Sequence, residues 1–158
     1  MKMGQGVEWA MHVLLSLVWV DDDRPVSTAR LAAGHDLPQA YLTKQLQALV
    51  RAGLLESFAG AHGGFRLARA AGDITLMDVV TAIDGPEPAF RCTEIRERAA
   101  GAPRGGFRDA CAVDASMRRA DLAWRTALQA QTLADVKAEA ELHAPEIPGV
   151  TRGAYGRV

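Results

Sequence analysis

Apolar residues recur at helical spacing along most of this chain. Over 7–20, Trp9, Ala10, Val13, Leu14, Leu17 and Val18 fall three and four apart, which predicts a strongly apolar helix closed by Asp21-Asp22-Asp23 and Pro25. Val26-Ser27 reads as an N-cap before a short helix over 28–33, broken by Gly34. Leu37-Pro38 opens the next helix, since proline suits a first helical turn. Leu42, Leu46, Leu49 and Val50 share one face of it, and Gly53 is its stop. The period then changes. Residues 54–57 and 65–68 are short strand-like runs around Phe58-Ala59-Gly60-Ala61-His62-Gly63-Gly64, a glycine-rich hairpin tip. Thr75 caps a helix through Ile83, closed by Asp84-Gly85-Pro86.

Residues 85–110 are rich in glycine, proline and charge and carry no period, which predicts an irregular loop. Over 114–142 the helical pattern returns. Met117, Ala120, Trp124, Ala127, Gln131, Ala134 and Ala138 form a seam long enough to pair with a partner helix. Residues 143–158 hold prolines and glycines without periodicity and read as a frayed, flexible tail. The organisation expected is therefore a helical and hairpin domain over 1–84, a loop over 85–112, a dimerisation helix over 113–142 and a tail.

Composition narrows the class. With 158 residues, 49% apolar, 23% charged and 6% aromatic, the chain suits one domain or one domain plus an arm. Collagen-like, disulfide-framework and disordered classes are excluded. No apolar run reaches the roughly 18 residues of a membrane span, and the start of the chain lacks a signal-peptide pattern, so a cytoplasmic protein is expected. The net charge of −1 hides an asymmetry: residues 24–69 carry net +4 and the remainder −5. A basic segment in an acidic chain suits a nucleic-acid contact surface. The two cysteines, Cys92 and Cys111, suit a reduced, metal-bound or redox-sensing role better than a structural staple. There is no Ser-His-Asp order, phosphate loop or zinc-hydrolase motif, so the chain does not read as an enzyme.

Helix, short helix, turn, helix and glycine-tipped hairpin is the layout of a winged helix-turn-helix, mainly α with a small β-hairpin wing. Its second paired helix must bury one face and present the other. Gln39, Tyr41, Thr43, Lys44 and Gln47 are left outward, groups able to touch base edges and phosphates. Thr28 near the start of the first paired helix, Gly60, His62 and Gly63 at the wing tip and Arg66 beyond it complete the candidate double-stranded DNA contacts.

The segments Leu31-Ala32, Leu37-Pro38-Gln39-Ala40-Tyr41-Leu42, Leu49-Val50-Arg51-Ala52-Gly53-Leu54-Leu55 and Gly60-Ala61-His62-Gly63-Gly64-Phe65-Arg66-Leu67-Ala68-Arg69 resemble the Rrf family of bacterial transcription regulators. So does Ile74-Thr75-Leu76, continuing through Asp78-Val79-Val80 and Ala82-Ile83-Asp84-Gly85. The resemblance, to the IscR, NsrR and RsrR type, covers about residues 1–142. It implies a homodimer whose long C-terminal helices cross, with each recognition helix in a major groove of a palindromic operator. The chain departs from the family at Ala59, where an arginine is frequent, and at Thr43, where a glutamate occurs. Both bear on which DNA sequence is read.

Cluster-binding members usually carry three loop cysteines; here there are two, with 18 residues between them. Four ligands are needed for an iron–sulfur cluster. Glu8 and His12 lie one turn apart on the first helix, on a face otherwise apolar in sequence. With Gly6-Val7-Glu8-Trp9-Ala10 and only two loop cysteines, the chain looks closest to the redox regulator RsrR. The resemblance implies a 2Fe–2S cluster held by Cys92 and Cys111 of one chain and Glu8 and His12 of its partner. It also implies that Trp9, between the two helical ligands, acts as a redox gate. Taken singly, His12 reads as a packed histidine, Glu8 as an exposed charge, Trp9 as a packing residue and the cysteines as a dithiol switch or inert thiols. A cluster-free thiol sensor, a same-fold regulator of a small molecule and a partner-binding scaffold all remain open at this point.

Overall fold

Helix α1 (Gln5–Val20) threads the centre of the molecule, with Ala10, Val13, Leu14, Leu15, Leu17 and Trp19 buried. A helix apolar nearly all round has to be enclosed, and α1 packs against α3, α4, α6, α7 and the second strand. The computed structural model describes residues 3–20, 24–102 and 106–155. The acidic triplet expected to close α1 lies outside the described residues.

Helix α2 (Thr28–Gly34) starts at Ser27, whose Oγ accepts the Arg30 backbone N–H at 3.4 Å. The turn to α3 (Gln39–Arg51) is made not by Gly34, which stays helical, but by Asp36 at φ +51°. Aspartate tolerates this left-handed backbone better than most residues. The Leu37 N–H donates to the Ala32 carbonyl at 2.9 Å and closes the corner. Leu42, Leu46 and Leu49 of α3 are fully buried, as their spacing predicts.

Strands β1 (Leu55–Phe58) and β2 (Gly64–Leu67) form an antiparallel hairpin in the register Leu55–Leu67 to Phe58–Gly64. Val26 and Phe65 exchange two backbone hydrogen bonds of 2.9 Å and seat the hairpin on the segment before α2. This approach requires Gly64, where a Cβ would lie 2.3 Å from the Val26 carbonyl oxygen. Helix α4 (Leu76–Asp84) begins with a reciprocal capping box between Thr75 and Asp78.

The C-terminal third differs from the sequence reading. The expected continuous helix is two, α5 (Ala112–Gln129) and α6 (Leu133–His143). Thr132 and Asp135 form a second capping box. The Leu76 N–H donates to Gln131 at 2.9 Å and the Leu133 N–H to Ile74 at 2.8 Å. These bonds pull the chain back to the body, where Leu133 is fully buried. The seam residue Trp124 packs within its own chain, with Leu128, against Val7, Met77 and Val80. The expected frayed tail instead contains α7 (Ile147–Tyr155), and Tyr155 is 7% exposed within the core. No helix among the described residues is long and apolar enough to cross a membrane.

Candidate functional site

Two surfaces carry the candidate chemistry. The first is built on α3 and the hairpin. Gln39, Tyr41 and Lys44 are exposed on α3. Thr43 is half-buried, and its Oγ1 donates to the Gln39 carbonyl at 2.8 Å, so its proton is spent on its own helix. Thr28 is the first residue of α2, partly exposed. Gly60, at φ +99°, and His62 are exposed at the hairpin tip. Gly63 lies so close to β1 that a Cβ would sit 2.2 Å from the Phe58 carbonyl oxygen. Arg66 is committed to the wing itself: its Nε donates to Glu56 Oε2 at 3.0 Å, and its guanidinium lies over the Phe58 ring at 4.8 Å.

This surface is coupled to α1. Trp9 is half-buried and meets Tyr41 of α3 edge to face, with ring centroids 5.0 Å apart. One turn away the helices nearly touch, since a Cβ on Gly6 would lie 2.8 Å from the Gln45 amide nitrogen.

The second surface is the loop that the cysteines bracket. The fold brings together Cys92, Glu94 and Cys111, with ligand atoms all within 4.8 Å of one another. All three are half-buried. Cys111 is the N-cap residue of α5. Hydrogen bonds from the backbone N–H of Asp114, then of Val113, lower its thiol below the usual value, helped by the Cys92 thiol and the Arg96 charge and opposed by desolvation. Glu94 takes a left-handed backbone at φ +48° and donates its N–H to Cys92 Sγ at 3.4 Å. Its carboxylate accepts from Arg96 Nε at 2.5 Å and Nη2 at 2.9 Å. That hydrogen bonding, reinforced by the Arg96 charge against desolvation, holds Glu94 below the usual carboxylate range. Arg96 also donates to the Asp109 carbonyl at 3.1 Å and covers the Phe107 ring at 4.5 Å. A cavity of about 440 Å³ opens beside Cys92, walled by Phe90, Met117, Leu122 and Arg125.

The predicted ligand set is therefore divided. The two thiols meet, but among the described residues of one chain Glu8 and His12 do not join them. Both are exposed on α1, on an outward strip and not an apolar face. The His12 ring lies 6.2 Å from that of His35. Glu94, absent from the sequence reading, stands beside the thiols instead. It is two residues from Cys92, on a left-handed backbone whose N–H turns to Cys92 Sγ.

Comparison with known proteins settles the lineage. Residues 3–139 match the Rrf2 family, described as iron-dependent transcriptional regulators. The chain belongs to the Rrf2 family. It is 31% identical over 144 residues to protein aau3 of Rhizobium meliloti, covering 90% of each chain. Its fold is similar to that of IscR from T. potens, with TM-score 0.68 and 23% identity over 91% of each chain. CymR (YrzC), described as the global cysteine regulator of B. subtilis, has TM-score 0.66 and 22% identity, covering 88% of this chain and 98% of that one. At such identities the structural likenesses speak for the fold.

As an Rrf2 chain this is a transcriptional regulator of mainly helical, winged helix-turn-helix architecture. The α2–α3 pair and the hairpin lie within its net +4 segment. The thiol loop lies outside that segment, between α4 and α5. Trp9, on α1, meets Tyr41 on the exposed face of α3.

Proposed function

We propose that this chain is a cytoplasmic, homodimeric regulator that binds double-stranded DNA at a palindromic operator, with affinity set by the redox state or integrity of a 2Fe–2S cluster. The observation that carries this reading is the convergence of Cys92 and Cys111, distant in sequence, at the α5 N-terminus. The donor set fits half a cluster: two thiols with sulfurs within 4.8 Å of each other, that of Cys111 lowered below its usual pKa by backbone N–H groups at the start of α5. Cys92 and Cys111 would hold one iron, and Glu8 and His12 of the partner subunit the other. Their exposure on α1 leaves them available across a dimer interface. When bound, the group supplies one-electron redox chemistry, at a potential raised by the neutral imidazole relative to all-thiolate ligation. The chain's own part is to gather the thiols, set the Arg96 charge beside them, and connect α1 to α3 through Trp9 and Tyr41.

On the DNA side, Gln39, Tyr41 and Thr43 are assigned to base edges, and Thr28, Lys44, Gly60, His62, Gly63 and Arg66 to phosphates and groove walls. Both half-sites must be engaged together, so re-spacing the two recognition helices releases the operator.

The same thiol proximity favours a second reading, in which a hydroperoxide oxidises the pair to a disulfide with loss of two hydrogens and release of water and an alcohol, or a second water. One experiment separates the two. Protein purified without oxygen is assayed by absorption, iron and sulfide. About two irons and two sulfides per chain, with visible bands lost in Cys92→Ser or Cys111→Ser and altered in His12→Ala, is the expected result. A colourless chain that cannot be reconstituted refutes the cluster, and a mass loss of two hydrogens on oxidation then selects the disulfide.

A further inference from the structure

We propose that Cys92, Glu94 and Cys111 form a mononuclear site for a thiophilic divalent cation, zinc or ferrous iron, in the cluster-free chain. The proposal rests on reading this loop as the sensor, but it uses Glu94 in place of Glu8 and His12 and needs only one chain.

Three different donors from one short loop and one helix start lie within 4.8 Å of one another. Metal–sulfur bonds of about 2.3 Å and metal–oxygen bonds of about 2.0–2.2 Å require the set to close by only ~1 Å. A half-buried loop and a helix cap can supply that movement. Two thiolates and one carboxylate select zinc or ferrous iron over magnesium or calcium, which need six or more oxygens. Three protein ligands leave a fourth, tetrahedral position for water.

The backbone at Glu94 fits this role. Few residues other than glycine accept φ near +48°, and the conformation is kept where surrounding structure holds it. Here it folds the carboxylate back over the loop, while its own N–H is given to Cys92 Sγ. Arg96 grips both carboxylate oxygens. A carboxylate has about four acceptor sites, so one oxygen can bind a cation while Arg96 stays bonded to the other. Arg96 thus orients the ligand from outside, as hydrogen-bonded partners of metal-binding carboxylates do. Its positive charge also offsets the anionic donors as they lose their protons. The sensor loop then has two competing occupants, a single cation held by one chain and a cluster shared by two.

Cobalt(II) titration of the cluster-free full chain without oxygen tests this. One cobalt per chain is expected, with thiolate-to-cobalt absorption in the near ultraviolet and tetrahedral visible bands. Cys92→Ser cuts the thiolate-to-cobalt absorption to about half or less, and Cys92→Ser with Cys111→Ser abolishes it. Glu94→Gln weakens binding at least about 10- to 100-fold, the loss typical even of a group one step removed from a metal. Glu94→Gly gives the same loss with an intact fold, because glycine suits the left-handed backbone. Glu97→Gln, on the same loop, binds as the native chain does. Absence of thiolate–cobalt absorption, or native affinity in Glu94→Gly, overturns the site. A chain that takes up iron and sulfide but shows no cobalt–thiolate band overturns this site alone. One that binds cobalt through Glu94 but never iron and sulfide supports it and overturns the cluster alone.

Discussion

Gly34 closes α2 without a side chain, and Tyr155 is the reason: a Cβ there would lie 1.9 Å from the Tyr155 hydroxyl oxygen. In sequence the glycine looks like a helix breaker and the tyrosine like tail, so neither points to the other. Gly34→Ala is expected to cost about 1–3 kcal/mol by overpacking, read as a lower urea midpoint; an unchanged midpoint would mean that α7 does not dock there. Beside this contact, His35 stacks on Tyr155 at 6.3 Å and its Nε2 lies 3.0 Å from Ser16 Oγ. Burial, and then the His12 charge, lower the His35 pKa from 6.5. Between the lowered folded value and 6.5 the unfolded chain binds more protons, so His35 adds stability as pH rises through that window. Its contribution is complete above 6.5 and is lost as pH falls through the folded value. Urea midpoints measured from pH 7.5 down to 5 should therefore fall less steeply in His35→Gln than in the native chain. Parallel slopes would show that His35 is not the titrating group.

At the scale of elements, legibility follows periodicity. Helices α1 and α3 and the hairpin stand out because their apolar spacing and glycine stops agree with their burial. The break between α5 and α6 was written only in Thr132 and Asp135, a capping box inside an unbroken helical seam. What decides it is the long-range pairing of 131–133 with 74–76, which no local pattern shows. Likewise Pro148 and Gly149 read as breakers, although proline is tolerated in a first helical turn, and burial of Tyr155 supports α7. Thr132→Ala should cost about 0.5–2 kcal/mol, the usual loss for an N-cap, measurable by chemical unfolding. The two cysteines were legible as chemistry, whereas Glu94 depends on a left-handed backbone in an aperiodic loop. The wing adds a refinement on DNA. Arg66 is held by Glu56 at 2.9 Å while Lys44 is exposed on α3. Lys44→Ala should lower the salt slope of operator binding by about one. Arg66→Ala should lower it by less, because Glu56 already offsets that charge. Equal slope changes would show that the pair opens on DNA.

Across the whole molecule, the proposed sensor and the proposed reading head are joined by α1. That helix carries Glu8 and His12 on its exposed strip, and it places Trp9 between them against Tyr41 of α3. A helix packed on so many neighbours cannot deform continuously, so a change at its proposed ligands is passed on as a shift between discrete packings. An edge-to-face aromatic pair is a suitable relay, because its attraction depends on ring orientation and is lost when one ring turns away. Allosteric coupling of the usual 1–3 kcal/mol would change operator affinity about 5- to 150-fold between sensor states. Trp9→Ala removes the ring and no proposed ligand. Its expected signature is an intact cluster spectrum with an operator affinity that no longer differs between oxidised and reduced protein. Trp9→Phe, which retains an aromatic edge for Tyr41, should keep part of the difference. Operator titrations of both variants under each redox condition measure it. If Trp9→Ala responds as strongly as the native chain, the signal reaches α3 by another route, and Trp9 is a packing residue.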